Sequence, residues 1–259
     1  MLEKLTIPAI FAHRGASAHA PENTMAAFEL AFDQGADALE FDVMLSADGE
    51  VVIIHDSTVD RTTTGTGYVK DMSYRTLSML DAGSSYNCDY RGETIPTLEQ
   101  VLLEFGSKIF LNIELKNDIT PFDQLPTKVI GLIKQYNLQD QALLSSFNPI
   151  ALIRSRRQCS SIPIGLLANS GWKGATALSW PGRLLKFQAV HPYFNDLTPE
   201  FVQKAHNAGY RVHTYTVNRE EDMQKLFAMR VDGIYTDDPP LAMSVRENEA
   251  KHYDTKSMD

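Results

Sequence analysis

A chain of 259 residues, 43% hydrophobic and 22% charged, has room for one large domain or two small ones with a buried core, in the composition range of ordinary soluble enzymes. Its 33 Asp and Glu outnumber 24 Lys and Arg, and the formal charge of -9 opposes sequence-independent binding to nucleic acid or anionic membrane; any phosphate must be gripped locally. Cys88 and Cys159 are too far apart for a thiolate metal motif or a disulfide framework, so two free buried thiols are expected.

Residues 1–10 carry Glu3 and Lys4 without a long apolar run, so no signal peptide is expected. No apolar run approaches the ~18 residues of a membrane span, and cytoplasmic residence is the default expectation. Beyond this start, β-rich runs fall at 9–14, 38–45, 51–55, 109–116, 142–147, 163–168, 188–193, 211–217 and 233–237. Segments of helical period separate most of them, at 24–34, 97–105, 124–136, 148–157, 172–186, 198–208 and 219–230. Thr24, Thr97 and Thr198 read as N-caps, and Gly35, Gly106 and Gly209 as C-terminal stops.

One junction breaks the alternation. Only residues 46–50, containing Asp48-Gly49, separate two β runs, whereas a parallel crossover needs roughly a dozen residues; the junction must be a hairpin. With 51–55 as an antiparallel return arm, eight parallel strands remain, the count of a (β/α)8 TIM barrel of about 250 residues. A doubly wound sheet is the alternative, but His13-Arg14-Gly15-Ala16-Ser17 stands where a Gly-rich dinucleotide loop would be. Residues 57–95, rich in Thr, Gly, Tyr and Asp, read as an insertion on the catalytic rim with a short helix near 73–80. The expected organisation is a single catalytic domain over 1–245 and a polar, frayed tail over 246–259. The oligomeric state has no signal in the sequence.

Barrel active sites form at the carboxyl ends of the strands, which here carry His13-Arg14, Glu40-Phe41-Asp42, His55-Asp56 and Glu114-Leu115-Lys116. Residues two apart share a strand face, so Glu40 with Asp42, and Glu114 with Lys116, look into the mouth. If the hairpin loop is 46–49, Glu40 lies opposite His55; if the turn is Asp48-Gly49 alone, Asp42 does. A register shifted by one would turn His55 away. Three carboxylates in one mouth repel by roughly 3 kcal/mol per close pair at an effective dielectric of about 20, and a divalent cation relieves this. An all-oxygen set suits Mg²⁺ or Ca²⁺. With the ion, Arg14 and Lys116 the local charge becomes +1, which a phosphodiester monoanion neutralises. His13 and His55 then divide general acid and general base duties near neutral pH.

Arg14 follows His13 directly, so alternation points it outward unless the strand ends and turns at Gly15. His19, His191, His206, His213 and His252 read as structural, with His191 and His213 placed in strands from which the mouth is within reach. Asp237-Asp238 before Pro239 reads as the cap of the final helix.

The ordered set Ala12-His13-Arg14-Gly15, Pro21-Glu22-Asn23-Thr24, Glu40-Phe41-Asp42-Val43, His55-Asp56, Glu114-Leu115-Lys116, Ser146-Phe147, Tyr215-Thr216-Val217-Asn218 and Thr236-Asp237-Asp238-Pro239 resembles the glycerophosphodiester phosphodiesterases, most closely their short cytoplasmic bacterial type. The resemblance covers almost the whole chain. It implies a TIM barrel with a small insertion after the His-Asp block, and hydrolysis of glycerophosphodiesters, such as glycerophosphocholine or glycerophosphoethanolamine, to sn-glycerol 3-phosphate and an alcohol. It also implies metal binding by Glu40, Asp42 and Glu114, acid and base roles for His13 and His55, and phosphate contacts from Arg14 and Lys116. Phe147 and Tyr215 fall where members line the glycerol side of the site, and many members carry Trp in place of Tyr215. Direct attack by water and a cyclic phosphate formed by the glycerol 2-hydroxyl both stay open. Two other readings are a lysophospholipase D-like enzyme acting on lipids, for which the insertion shows no strong amphipathic anchor, and a catalytically silent barrel used for binding.

Overall fold

The computed structural model describes residues 2, 5–117, 119–171 and 187–256, with nothing described of the side chains of 252–256. The helix expected at 172–186 and the side chain of His252 therefore lie outside the described residues. The described residues form nine strands: β1 (Ala9–His13), β2 (Ala38–Leu45), β3 (Val51–Ile53), β4 (Phe110–Leu115), β5 (Ala142–Ser146), β6 (Ile164–Ala168), β7 (Ala189–Pro192), β8 (Arg211–Thr214) and β9 (Gly233–Thr236). The described helices are α1 (Met25–Asp33), α2 (Tyr74–Leu77), α3 (Leu98–Phe105), α4 (Leu125–Gln135), α5 (Pro149–Gln158), α6 (Pro199–Asn207), α7 (Glu220–Ala228) and α8 (Pro239–Lys256).

All strands but β3 pair in parallel, and β1 joins both β2 and β9, which closes the sheet into an eight-stranded (β/α)8 barrel; β3 is the antiparallel arm on β2. The three threonine caps form as the sequence predicts. The side chains of Thr24, Thr97 and Thr198 accept from the backbone N–H groups of Ala27, Gln100 and Phe201, and Gln100 returns the bond at Thr97 to complete a capping box.

Strand alternation builds two apolar layers. Ile10, Leu39, Phe41, Val43, Ile113 and Leu115 face the helices, whereas Phe11, Ala38, Phe110, Leu143 and Ala189 fill the lower barrel interior. Phe41 is fully buried against Phe28, so truncating it to Ala costs about 3–5 kcal/mol. Higher in the interior the inward positions turn polar, with Glu40, Asp42, Asn112, Glu114 and Ser145 all buried. Arm β3 serves two cores by the same alternation: Val51 and Ile53 join the main core, while Val52 and Ile54 pack with Val59, Val69, Leu77 and Ala82 beneath the segment that follows.

The hairpin takes neither of the two registers that bring His55 opposite an acid. Val43 pairs with Ile53 and Leu45 with Val51 around a five-residue loop, so the ladder continued would set His55 opposite Phe41, the shifted register expected to turn it away. His55 still reaches the mouth because β3 ends at Ile53, and the chain leaves the ladder after the Ile54 N–H donates to the Asp42 carbonyl. Three further differences concern the ends and the thiols. Helix α8 continues to Lys256, through the stretch read as a frayed tail. Its cap is Asp238, which accepts from the Leu241 N–H, and Asp237 is turned elsewhere. Both cysteines are free, but Cys88 is exposed and Cys159 half-buried rather than buried.

Candidate active site

The carboxyl end of β2 presents Glu40 and Asp42, and β4, paired to it with Asp42 beside Glu114, presents the third acid. One carboxylate oxygen from each lies within 4.8 Å of the others, and all three side chains are buried. Burial and the charges of Asp42 and Glu114 push the Glu40 carboxyl well above its ordinary range. Burial likewise raises Glu114 to about 7, with the Lys116 ammonium pulling the other way. Asp42 departs from this: burial would raise it, but Arg14, Lys116 and His55, with a hydrogen bond from Asn23, hold it below the usual carboxylate range. Of the buried oxygens lining this region, Asn112 Oδ1 accepts no hydrogen bond, and Glu114 Oε1 is met by the Lys116 Nζ at 2.9 Å. A like-charged oxygen cluster with unsatisfied lone pairs fits a divalent cation.

Arg14 enters the mouth by a backbone device. Strand β1 stops at His13, Arg14 takes φ +57° and Gly15 φ +83°, which breaks the alternation that would have sent the guanidinium outward. A left-handed Arg costs about 1 kcal/mol. Its N–H donates to Glu40 Oε2 at 2.9 Å and its carbonyl accepts from the Asn23 N–H, which hold the turn. A Cβ at residue 15 would sit 2.6 Å from the Ala27 carbonyl carbon, so only glycine fits beneath α1. The guanidinium is anchored by Nη1 to Glu22 at 2.9 Å and lies with Nε 3.3 Å from Asp42.

Each histidine is fixed through Nδ1 by a carboxylate: His13 by Asp237 and His55 by Asp56, both at 2.6 Å. A carboxylate acceptor requires the proton on Nδ1, which leaves Nε2 for chemistry. For His55 that nitrogen faces the Lys116 Nζ at 3.2 Å. Burial lowers the His55 pKa below its ordinary value, opposed by the charge of Asp42 and assisted by Lys116 and Arg14. Phe147 and Tyr215 meet edge to face with centroids 5.9 Å apart; Lys116 sits 5.7 Å from the Phe147 centroid, and the Tyr215 hydroxyl donates to the Ala168 carbonyl. These groups line one cavity of about 200 Å³ together with His13, Arg14, Glu40 and Glu114.

The structure thus brings His13, Arg14, Glu40, His55, Glu114, Lys116, Phe147 and Tyr215 to one cavity, with Asp42 buried against its wall. It excludes His191 and His213, which lie deeper, stacked with Phe11 and Tyr235, where the Tyr235 hydroxyl and His191 Nδ1 are 3.1 Å apart. Sequence reasoning missed four supporting residues. Asp237 directly follows β9 at the same rim as the other site residues, a signal masked by the Asp238-Pro239 helix start beside it. Asp56 and Glu22 stood inside recognised motifs without an assigned role. Arg61, in the stretch after β3, carries no local signal, yet it bonds Asp56 through Nε at 2.7 Å and Glu22 through Nη1 and Nη2 at 2.6 and 2.9 Å.

Buried acids beside anchored imidazoles, at the carboxyl rim of a parallel barrel, define a class: metal-assisted phosphodiester hydrolases on a TIM barrel. A sequence profile of the glycerophosphoryl diester phosphodiesterase family matches residues 13–241, and the chain belongs to that family. Among its relatives, a glycerophosphodiester phosphodiesterase of Caldanaerobacter subterraneus subsp. tengcongensis is 41% identical over 91% of this chain and 96% of its own. A phosphodiesterase of Oleispira antarctica, solved with the product sn-glycerol-3-phosphate, is 34% identical, covers 93% of this chain and 97% of its own, and superposes with a TM-score of 0.83. The glycerophosphodiester phosphodiesterase of Agrobacterium tumefaciens superposes with 0.81 at 29% identity, over 92% of this chain and 100% of its own. These likenesses favour neither the lipid-directed nor the silent-barrel alternative. No helix among the described residues is long and apolar enough to cross a membrane.

Proposed function

We propose that the chain hydrolyses glycerophosphodiesters to sn-glycerol 3-phosphate and an alcohol, with Glu40, Asp42 and Glu114 holding one divalent cation, Mg²⁺ or Ca²⁺. The observation that carries this reading is the pair of imidazoles, each tied through Nδ1 to a carboxylate, bordering the same cavity as the acidic trio. When bound, the cation polarises the phosphoryl oxygens and offsets the charge of the three acids.

The chain's own groups do the rest. Arg14 and Lys116 bind the phosphate monoanion, and the edge-to-face pair of Phe147 and Tyr215 forms an apolar wall for the glycerol carbons. His13 and His55 divide the proton work: one Nε2 takes the proton of the attacking oxygen, either water or the glycerol 2-hydroxyl whose cyclic phosphate water then opens, and the other delivers one to the departing alkoxide. Asp237 and Asp56 keep each ring in the tautomer this needs and stabilise it when charged, as the carboxylate does beside any catalytic imidazole. The unit proposed for this work is residues 1–245, with 57–95 as an insertion on the catalytic rim. Cytoplasmic residence belongs to the same proposal and is supported by two unpaired cysteines, one of them exposed.

The test is product identity. Purified protein incubated with glycerophosphoethanolamine or glycerophosphocholine should release sn-glycerol 3-phosphate and the free head-group alcohol, resolved by enzymatic assay or phosphorus NMR. Release of phosphoethanolamine and glycerol would place the cut on the wrong side of phosphorus and sink the reading.

A further inference from the structure

A second cavity, of about 380 Å³, adjoins the site and shares two of its lining residues, His55 and Lys116. On the site side of those residues stand the acids and the Phe147–Tyr215 wall. On the far side the walls are Met44 and Leu45 from β2, Tyr68 and Val69 from the segment after β3, and Ile119 and Thr120 from the loop after β4. Apart from the shared His55 and Lys116, none of the acidic trio, His13 or the aromatic wall lines this space.

We propose that this cavity is the seat of the leaving alcohol, and that it favours alcohols carrying an apolar body larger than glycerol. The proposal rests on the glycerophosphodiester reading and deepens it. A phosphodiester has two organic limbs on one phosphorus. The aromatic wall takes the glycerol limb in a cavity of about 200 Å³, and the other limb leaves past the two shared residues into a space of about 380 Å³. Its size lies in the range of sites that enclose a small molecule, and Met44, Leu45, Val69 and the Tyr68 ring are surfaces that reward apolar contact rather than hydroxyl groups. Two charged groups at its edge are engaged elsewhere: Asp123 accepts from the Asn117 amide, the Thr120 hydroxyl and the Leu125 N–H, and Lys70 is paired with Asp71 at 2.7 Å. Tyr68 lines the cavity and is 52% exposed, which leaves ring surface for a bound alcohol to cover. The segment after β3 thereby contributes to specificity, since the Tyr68 ring and Val69 supply one wall of the alcohol subsite.

The experiment measures kcat/KM on sn-glycero-3-phospho esters of methanol, 1-butanol and 1-hexanol, whose leaving oxygens have similar basicity, so the series reads binding of the limb. Full burial of a methylene gives roughly fourfold, and the wild-type series should rise at least tenfold from methyl to hexyl. Thr120→Trp, at an exposed position, should fill the cavity and flatten the series, bringing the hexyl-to-methyl ratio of kcat/KM close to one. Tyr68→Ala should lower the hexyl-to-methyl ratio about fivefold. An active enzyme with a flat wild-type series, or a Thr120→Trp variant that slows every ester equally, overturns the cavity assignment alone. Absence of sn-glycerol 3-phosphate from every ester overturns the hydrolase reading along with it.

Discussion

Arg61 and Glu22 form a two-point ion pair, at 2.6 and 2.9 Å, between residues 39 positions apart, and through it the segment after β3 is linked to both sides of the site. Glu22 passes the contact to Arg14, and Arg61 itself passes it to Asp56 and so to His55. The Arg61 hydrogen bond is the largest influence holding Asp56 at about 2, so Asp56 stays an anion beside the His55 ring across the working pH range. Arg61→Ala is expected to lower kcat by roughly 10- to 100-fold, the cost of a misplaced catalytic group, with a smaller rise in KM. Arg61→Lys should recover part of the loss. Steady-state kinetics with a check of thermal stability decides it; an unchanged kcat in a folded Arg61→Ala protein contradicts the linkage.

His13→Ala and His55→Ala should each reduce kcat by about 10²–10⁴, the usual worth of a positioned proton-transfer group, without loss of fold by circular dichroism. A p-nitrophenyl ester of glycerol phosphate needs no proton on its leaving oxygen. One of the two variants should therefore regain most of its activity on that substrate, and the other should not. Rescue of both, or of neither, contradicts the division of labour.

Burial raises Glu114 from 4.5 to about 7. Its stability contribution is therefore complete below pH 4.5 and is lost as pH rises through 7, when a buried carboxylate must ionise. A divalent cation reverses this by pairing with the anion, so Mg²⁺ or Ca²⁺ affinity should climb at least about tenfold per pH unit below 7, with the raised Glu40 adding to the slope. The gain in Tm on adding the ion should be greater at pH 8 than at pH 6. Calorimetric titration at both pH values checks it, and pH-independent affinity would contradict it.

His213 runs in the opposite direction. Burial lowers it from 6.5 to about 4, so its contribution is fully present above pH 6.5 and is lost as pH falls toward 4, up to about 3 kcal/mol. His191, beside it, is lowered well below its ordinary value by burial and by the His213 charge. Denaturant titrations from pH 7 to 4 should show a steep acid limb in wild type and a shallower one in His213→Gln. Parallel limbs would contradict this account of the two buried rings.

How much of this was legible follows from the range of each contact. Alternation on β2 and β4 places Glu40, Asp42 and Glu114 on the inner face with no knowledge of the fold beyond period two. The strand count needed only the short Asp48-Gly49 junction. The hairpin register was not legible, because a five-residue loop and a four-residue loop differ by nothing that composition reports, and His55 reaches the mouth by leaving the ladder rather than by its place in it. Arg14 was legible only as a condition, fulfilled by the left-handed turn at Arg14 and Gly15. The Asp237 contact with His13 spans 224 residues and depends on β9 lying beside β1, a consequence of barrel closure that no local pattern contains.

The central claim is most directly tested by stripping the protein of divalent ions and measuring sn-glycerol 3-phosphate release before and after adding back Mg²⁺ or Ca²⁺, in wild type and in Glu114→Gln. The account predicts no measurable turnover in the stripped wild type, restoration by the added ion, and restoration that is absent or at least 100-fold weaker in the variant. Full turnover by the stripped wild type, or equal restoration in Glu114→Gln, would contradict it.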